Sequence, residues 1–91
     1  MIFFFVSLHY YYLSQYSINM SEYPHIGKII KAELKQQGRS AVWLASRLNY
    51  GTDNVYKIFQ RNHLATDVLW KISEVLNHDF FKDVSDCFAG N

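Results

Sequence analysis

A chain of 91 residues, 49% hydrophobic and 19% charged, can fill one hydrophobic core but not two. With one proline and four glycines, it is punctuated too sparsely for a sheet of many short strands, and its apolar residues recur at three- and four-residue steps, so helices are predicted. The lone Cys87 excludes an internal disulfide and a disulfide-stapled secreted scaffold, and it fits a reducing cytoplasm.

Residues 1–19, MIFFFVSLHYYYLSQYSIN, contain no charged side chain. They lack the basic start and the small-residue cleavage site of a signal peptide. The apolar run 1–6 is far shorter than the roughly 20 residues that cross a bilayer, so no membrane association is expected. Polar sequence begins directly after Met20, and nothing in 1–19 has the periodic face that a bundle needs. The expectation is an N-terminal extension outside the core, arising from a misassigned start or else poorly ordered and prone to aggregate through its aromatics. The domain proper would then occupy 20–91.

Helix one is predicted at about 25–37 and is closed by Gly38. Ile26, Ile29, Ile30 and Leu34 form its buried face, while Lys28, Lys31 and Lys35 lie largely opposite, where solvation is the simpler reading for the first two. Ser40 is a good N-cap for helix two, which runs to about Leu48 with Leu44, Ala45 and Leu48 inward; small Ala45 leaves room for another backbone. Asn49 tolerates the left-handed conformation and ends the helix, with Tyr50 and Gly51 completing a tight turn.

Thr52 or Asp53 is expected to cap helix three, at about 52–60. Val55, Ile58 and Phe59 face inward there, which leaves Thr52, Asp53, Asn54 and Lys57 on the outer, leading surface. Helix four is expected to start at a Thr66 cap and to bury Val68, Leu69, Ile72, Val75 and Leu76. Trp70 falls off that stripe, so it either contacts a partner or is covered by a short fifth helix at about 79–86. Phe80 and Phe81 would close the core, and Trp43 sits beside the inward stripe of helix two. Asp79 and Asp83, four apart, read as solvated surface.

The net charge of +1 hides a separation along the chain. From Lys28 to Arg61, seven basic residues face two acidic ones, a balance of +5; from Asn62 onward, two basic residues face five acidic ones, a balance of −3; and Glu22 completes the sum. The basic part coincides with the two helices joined by the tight turn. Such a division would turn the first part toward phosphates and the second away, although a solvated mixed surface accounts for the charges alone equally well.

A helix presented N-terminus first can enter the DNA major groove and bring its leading side chains to the base edges. The segment LASRLNYGTDNVYKIF resembles the Leu-Ala-x-x-Leu-Gly-x-x-x-x-x-Ile-x-x-Ile pattern of the lambda-repressor-like, or Xre-type, helix-turn-helix family. Upstream, HIGKIIKAELKQQGRS resembles that family's first helix and, downstream, ATDVLWKISEVLNHDFF its fourth, so the likeness covers roughly residues 24–84. It implies an all-α compact bundle of about five short helices and a sequence-specific DNA-binding transcriptional regulator that inserts helix three into the major groove.

Carried over position by position, the resemblance puts Thr52, Asp53 and Lys57 at base-contacting positions, and Asn54 where a base or phosphate is in reach. It puts Gln60, Arg61 and Asn62 on the DNA backbone, together with Arg39, Ser40 and Ala41 at the start of helix two. The chain departs from the family at Ala41, often a phosphate-anchoring glutamine, and at Phe59 and Arg61, often glutamate and glycine. Arg61 replaces a neutral position with a charged donor.

One such module spans few base pairs, so a homodimer on a palindromic double-stranded site is expected. Catalysis is not expected. His9, His25, His63 and His78 lack metal-ligand spacing, the cysteine has no partner at C-x-x-C distance, and neither a phosphate-cradling glycine loop nor a nucleophile motif is present. No metal or cofactor is called for. The competing reading is a protein-interaction module, antitoxin-like or phage-derived, that uses Trp43, Trp70 and the aromatic N-terminus to hold a protein partner.

Overall fold

The computed structural model describes residues 24–89, and five helices follow one another along them. They are α1 (Ile26–Gln36), α2 (Ala41–Leu48), α3 (Thr52–Phe59), α4 (Thr66–Leu76) and α5 (Phe80–Ala89). Among the described residues there is no strand. The helices predicted from the periodicity form, in the all-α bundle of about five short helices that the resemblance implies, while the expectations for residues 1–19 and for His9 concern sequence outside the described residues. No helix in the described part is long and apolar enough to cross a membrane.

Local chemistry sets most helix ends. His25 Nδ1 accepts the Lys28 N–H at 3.1 Å to open α1, and Ser40 Oγ accepts the Trp43 N–H at 3.0 Å to open α2. Gly38, at φ 71°, lets the Arg39 N–H reach back to the Leu34 carbonyl at 3.0 Å. Asn49 (φ 60°) and Asn77 (φ 50°) end α2 and α4 in the left-handed conformation, so the Tyr50 and His78 N–H groups return to the carbonyls of Ala45 and Ser73.

Two expected caps are corrected. The residue that opens α3 is Gly51, and the one that opens α4 is Ala65; neither supplies a side-chain cap. Both are extended, and their carbonyls accept the first helical N–H groups, so Thr52, Asp53 and Thr66 are already inside their helices. Asp53 and Asp67 instead place negative charge in the first turn, where it complements the helix dipole.

Every helix contributes to one core. Ile30, Leu44, Leu48, Val55, Ile72, Leu76 and Phe80 are its largest fully buried side chains. The predicted inward faces of α1, α2 and α3 are all buried, whereas Val68 and Val75 of α4 are half-buried at the margin. Phe80 closes the core as expected. Phe81 is half-buried and carries the exposed Trp70 on its outer side, ring centroids 6.1 Å apart.

The tightest backbone approach is at Gly27. A Cβ there would collide with the carbonyl groups of Ile58 and Phe59, so the first turn of α1 lies directly on the last turn of α3. The Gly27 N–H donates to the Arg61 carbonyl at 2.9 Å, which ties the same turn to the loop after α3. The obstructing atoms are backbone and cannot swing away.

A second anchor corrects the reading of Asp83 as solvated. Asp83 is only 6% exposed, and its Oδ2 lies 2.7 Å from His78 Nε2, while His78 Nδ1 is 3.5 Å from Glu33 Oε1. Gln37 donates from Nε2 both to Glu33 Oε2 and to the Leu76 carbonyl, each at 2.8 Å. The imidazole thus joins α1 to α5 across the end of α4. The hydrogen bond to Asp83 raises its pKa above the ordinary 6.5; burial opposes this, and the charges of Asp83, Glu33 and Asp79 reinforce it.

Two outcomes follow for stability. Gly27→Ala should lower the unfolding free energy by about 1–3 kcal/mol in denaturant titration; a variant as stable as the parent would mean that α1 and α3 can separate freely. Because the folded state raises the His78 pKa, its charged-state contribution is complete below about pH 6.5 and is lost as pH rises through the folded value. The stability gap between the parent and His78→Gln should accordingly be wider near pH 6 than near pH 9, and a gap that widened toward alkaline pH would contradict this assignment.

Candidate nucleic-acid interface

The residues singled out as DNA contacts fall into two groups on adjoining helices. The first is α3 and the loop after it. Val55, Ile58 and Phe59 pin this eight-residue helix to the core, and its opposite side faces solvent. Asp53, Asn54 and Lys57 are exposed, while Thr52, at the helix start, is half-buried. Gln60 is the C-cap of α3 and is exposed together with Arg61 and Asn62.

None of the side chains of Thr52, Asp53, Asn54, Lys57, Gln60, Arg61 and Asn62 is engaged in a hydrogen bond or ion pair among the described residues. Their donors and acceptors remain available. The Arg61 backbone, in contrast, is fixed through its carbonyl to Gly27, so a long flexible side chain starts from a held position.

The second group lies at the start of α2. Ser40 is exposed, and although its hydroxyl oxygen accepts the Trp43 N–H to cap the helix, its O–H remains free to donate outward. Arg39, just before it, stacks on an indole: its guanidinium carbon is 4.0 Å from the Trp43 ring centroid. Ala41, where the family pattern often has glutamine, is half-buried against the core and offers no polar group.

Two further parts of this surface escaped the sequence reading. Tyr56 is 53% exposed, and its ring stands edge-on to Phe59 with centroids 6.0 Å apart. The helical phase could have revealed it, since at 100° per residue position 56 flanks the outward direction set by 53, 57 and 60. The other is the Arg47 guanidinium, which shares the Trp43 ring with Arg39 at 5.3 Å from the centroid. The i, i+4 spacing of Trp43 and Arg47 was the available signal.

The neighbouring cations serve packing more than recognition. Lys71 donates to the Leu48 carbonyl at 3.3 Å and lies 5.8 Å from the Tyr50 ring centroid, so it neutralises the C-terminal end of α2 and braces the turn before α3. Lys31 lies 6.0 Å from the Phe59 ring, on the flank of α1. Among the described residues no group of three or more His, Cys, Asp or Glu side chains could hold a metal ion. Burial pushes the half-buried Cys87 thiol pKa up, with Asp83 and Asp86 adding to the effect.

Comparison of the chain with protein-family models, with curated proteins and with solved structures returns no match.

Proposed function

We propose that this chain is a sequence-specific DNA-binding transcriptional regulator of the lambda-repressor-like helix-turn-helix type, acting as a homodimer with α3 in the major groove. One observation carries the reading. An eight-residue helix is held to the core along one side, while the donors and acceptors of Asp53, Asn54 and Lys57 on its other side are exposed and unspent. The stretch that holds it carries a balance of +5, and the turn before it has the left-handed Asn49 that brings two helices close.

In this arrangement Lys57 donates to guanine O6 or N7, and Asn54 and Thr52 hydrogen-bond to bases or to nearby phosphates. Asp53 has two roles open to it: accepting from cytosine N4, or holding negative charge at the α3 N-terminus, where it repels phosphates but favours the helix. Arg39, Ser40, Gln60, Arg61 and Asn62 grip the backbone and set register without reading sequence.

A second reading, a module that binds a protein partner, draws on the large apolar side chains left outside the core. Trp70 is 62% and Phe88 83% exposed, and aromatic anchors of this kind suit protein contacts.

The test is selection of duplexes from a random pool, followed by gel shifts of the best sequence at several salt concentrations. Lys57→Ala should weaken the selected site about tenfold or more while relaxing its base preference; Arg61→Ala should weaken all duplexes alike and reduce the salt slope by about 0.9. Unchanged binding in both variants would remove α3 and its loop as the docking surface. Failure to enrich any duplex, with a protein partner captured through Trp70, would favour the second reading.

A further inference from the structure

Trp43 is half-buried on the flank of α2, and two guanidinium groups lie against its ring. The Arg39 and Arg47 carbons are 4.0 and 5.3 Å from one centroid, so they can be no farther apart than the sum of these distances, about a Debye length at 0.1 M salt. Among the described residues no carboxylate pairs with either of them. Two like charges within that bound repel, and salt screens them only in part. The negative face of the indole offsets part of that repulsion, and stacking on the ring restricts both long side chains before any ligand arrives.

We propose that Trp43 is a positioning residue which sets Arg39 and Arg47 as two grips on the phosphodiester backbone of double-stranded DNA, making Arg47 a backbone contact additional to those placed around α3. The inference rests on the DNA-binding reading and extends it to the flank of α2. A guanidinium presents paired N–H donors that match phosphate oxygens bidentately, and phosphate charge beside both groups relieves the repulsion that the ring only reduces. Charge decides the occupant. Both arginines belong to the stretch with a balance of +5, which contains only Glu33 and Asp53 as acids. Stacking on Trp43 lowers the conformational entropy that each arginine would lose on binding.

The test compares the parent with Arg47→Gln, Trp43→Leu and the double variant on the best selected duplex and on a random duplex. Arg47→Gln is expected to weaken both duplexes about three- to tenfold, to reduce the slope of log K against log salt by about 0.9, and to leave the melting temperature unchanged. In the Trp43→Leu background, the further loss caused by Arg47→Gln should shrink to less than twofold, because the arginine is already unplaced. The slope matters here: a purely structural effect of Trp43→Leu would lower affinity without altering it.

Arg47→Gln with unchanged affinity and slope, alongside weakened Lys57→Ala and Arg61→Ala, would overturn the grip alone and leave the DNA-binding reading standing. An undiminished loss from Arg47→Gln in the Trp43→Leu background would overturn the positioning role of the indole. A parent chain that binds no duplex but binds an acidic peptide through these arginines would overturn both this proposal and the DNA-binding reading.

Discussion

The seat of α1 on α3 is the constraint that orders the rest of the molecule. Gly27 has no Cβ, and only for that reason can the backbone of one helix rest on the terminal carbonyls of another. The contact sets how far α3 can sink toward the core, and the bond from Gly27 to Arg61 sets where its following loop begins. An apolar stripe alone would allow the helix to roll by a fraction of a turn, because dispersion contacts are broad and non-directional. A backbone-to-backbone seat is not so tolerant.

The two charge regimes of the sequence have different structural fates. In the C-terminal part, Asp83 is drawn inward to His78, Asp79 accepts the Lys82 N–H at 3.0 Å, and Lys82 pairs with Asp86 at 3.0 Å. Those acids are used within the bundle. Around α3 the polar groups are not used in this way, and Arg39 before α2 and Arg47 within it meet an aromatic ring instead of carboxylates. A net charge close to zero therefore conceals one half that satisfies itself and one that is left to its surroundings.

Much of the fold was legible because it rests on local rules. Ser40 and Asn49 announce the ends of α2 through side-chain capping and tolerance of positive φ, and the inward residues of α1, α2 and α3 follow the helical period. The caps of α3 and α4 were misplaced because side-chain preference is only a tendency, and an extended Gly51 or Ala65 can supply the needed carbonyl from its backbone. Nothing in the sequence marks Gly27, since no one-dimensional pattern shows which backbone will come to lie on it. Asp83 looked like surface because its spacing from Asp79 was weighed, whereas its phase relative to the buried Phe80, three residues earlier, was the informative relation. The exposed side chains of α3 follow from the same periodicity that located its core face, but the pairing of Arg39 and Arg47 on one ring required the turn before α2 to be seen in three dimensions.

The two tryptophans of the chain occupy opposite settings, one half-covered beneath guanidinium groups and the other 62% exposed beside Phe81. Their intrinsic emission is therefore a composite of two separable signals. Trp70, the more exposed of the two, is the more open to a neutral collisional quencher, and Trp43 the more shielded. The protein thus carries its own optical reporter on the flank of α2, with no dye attached.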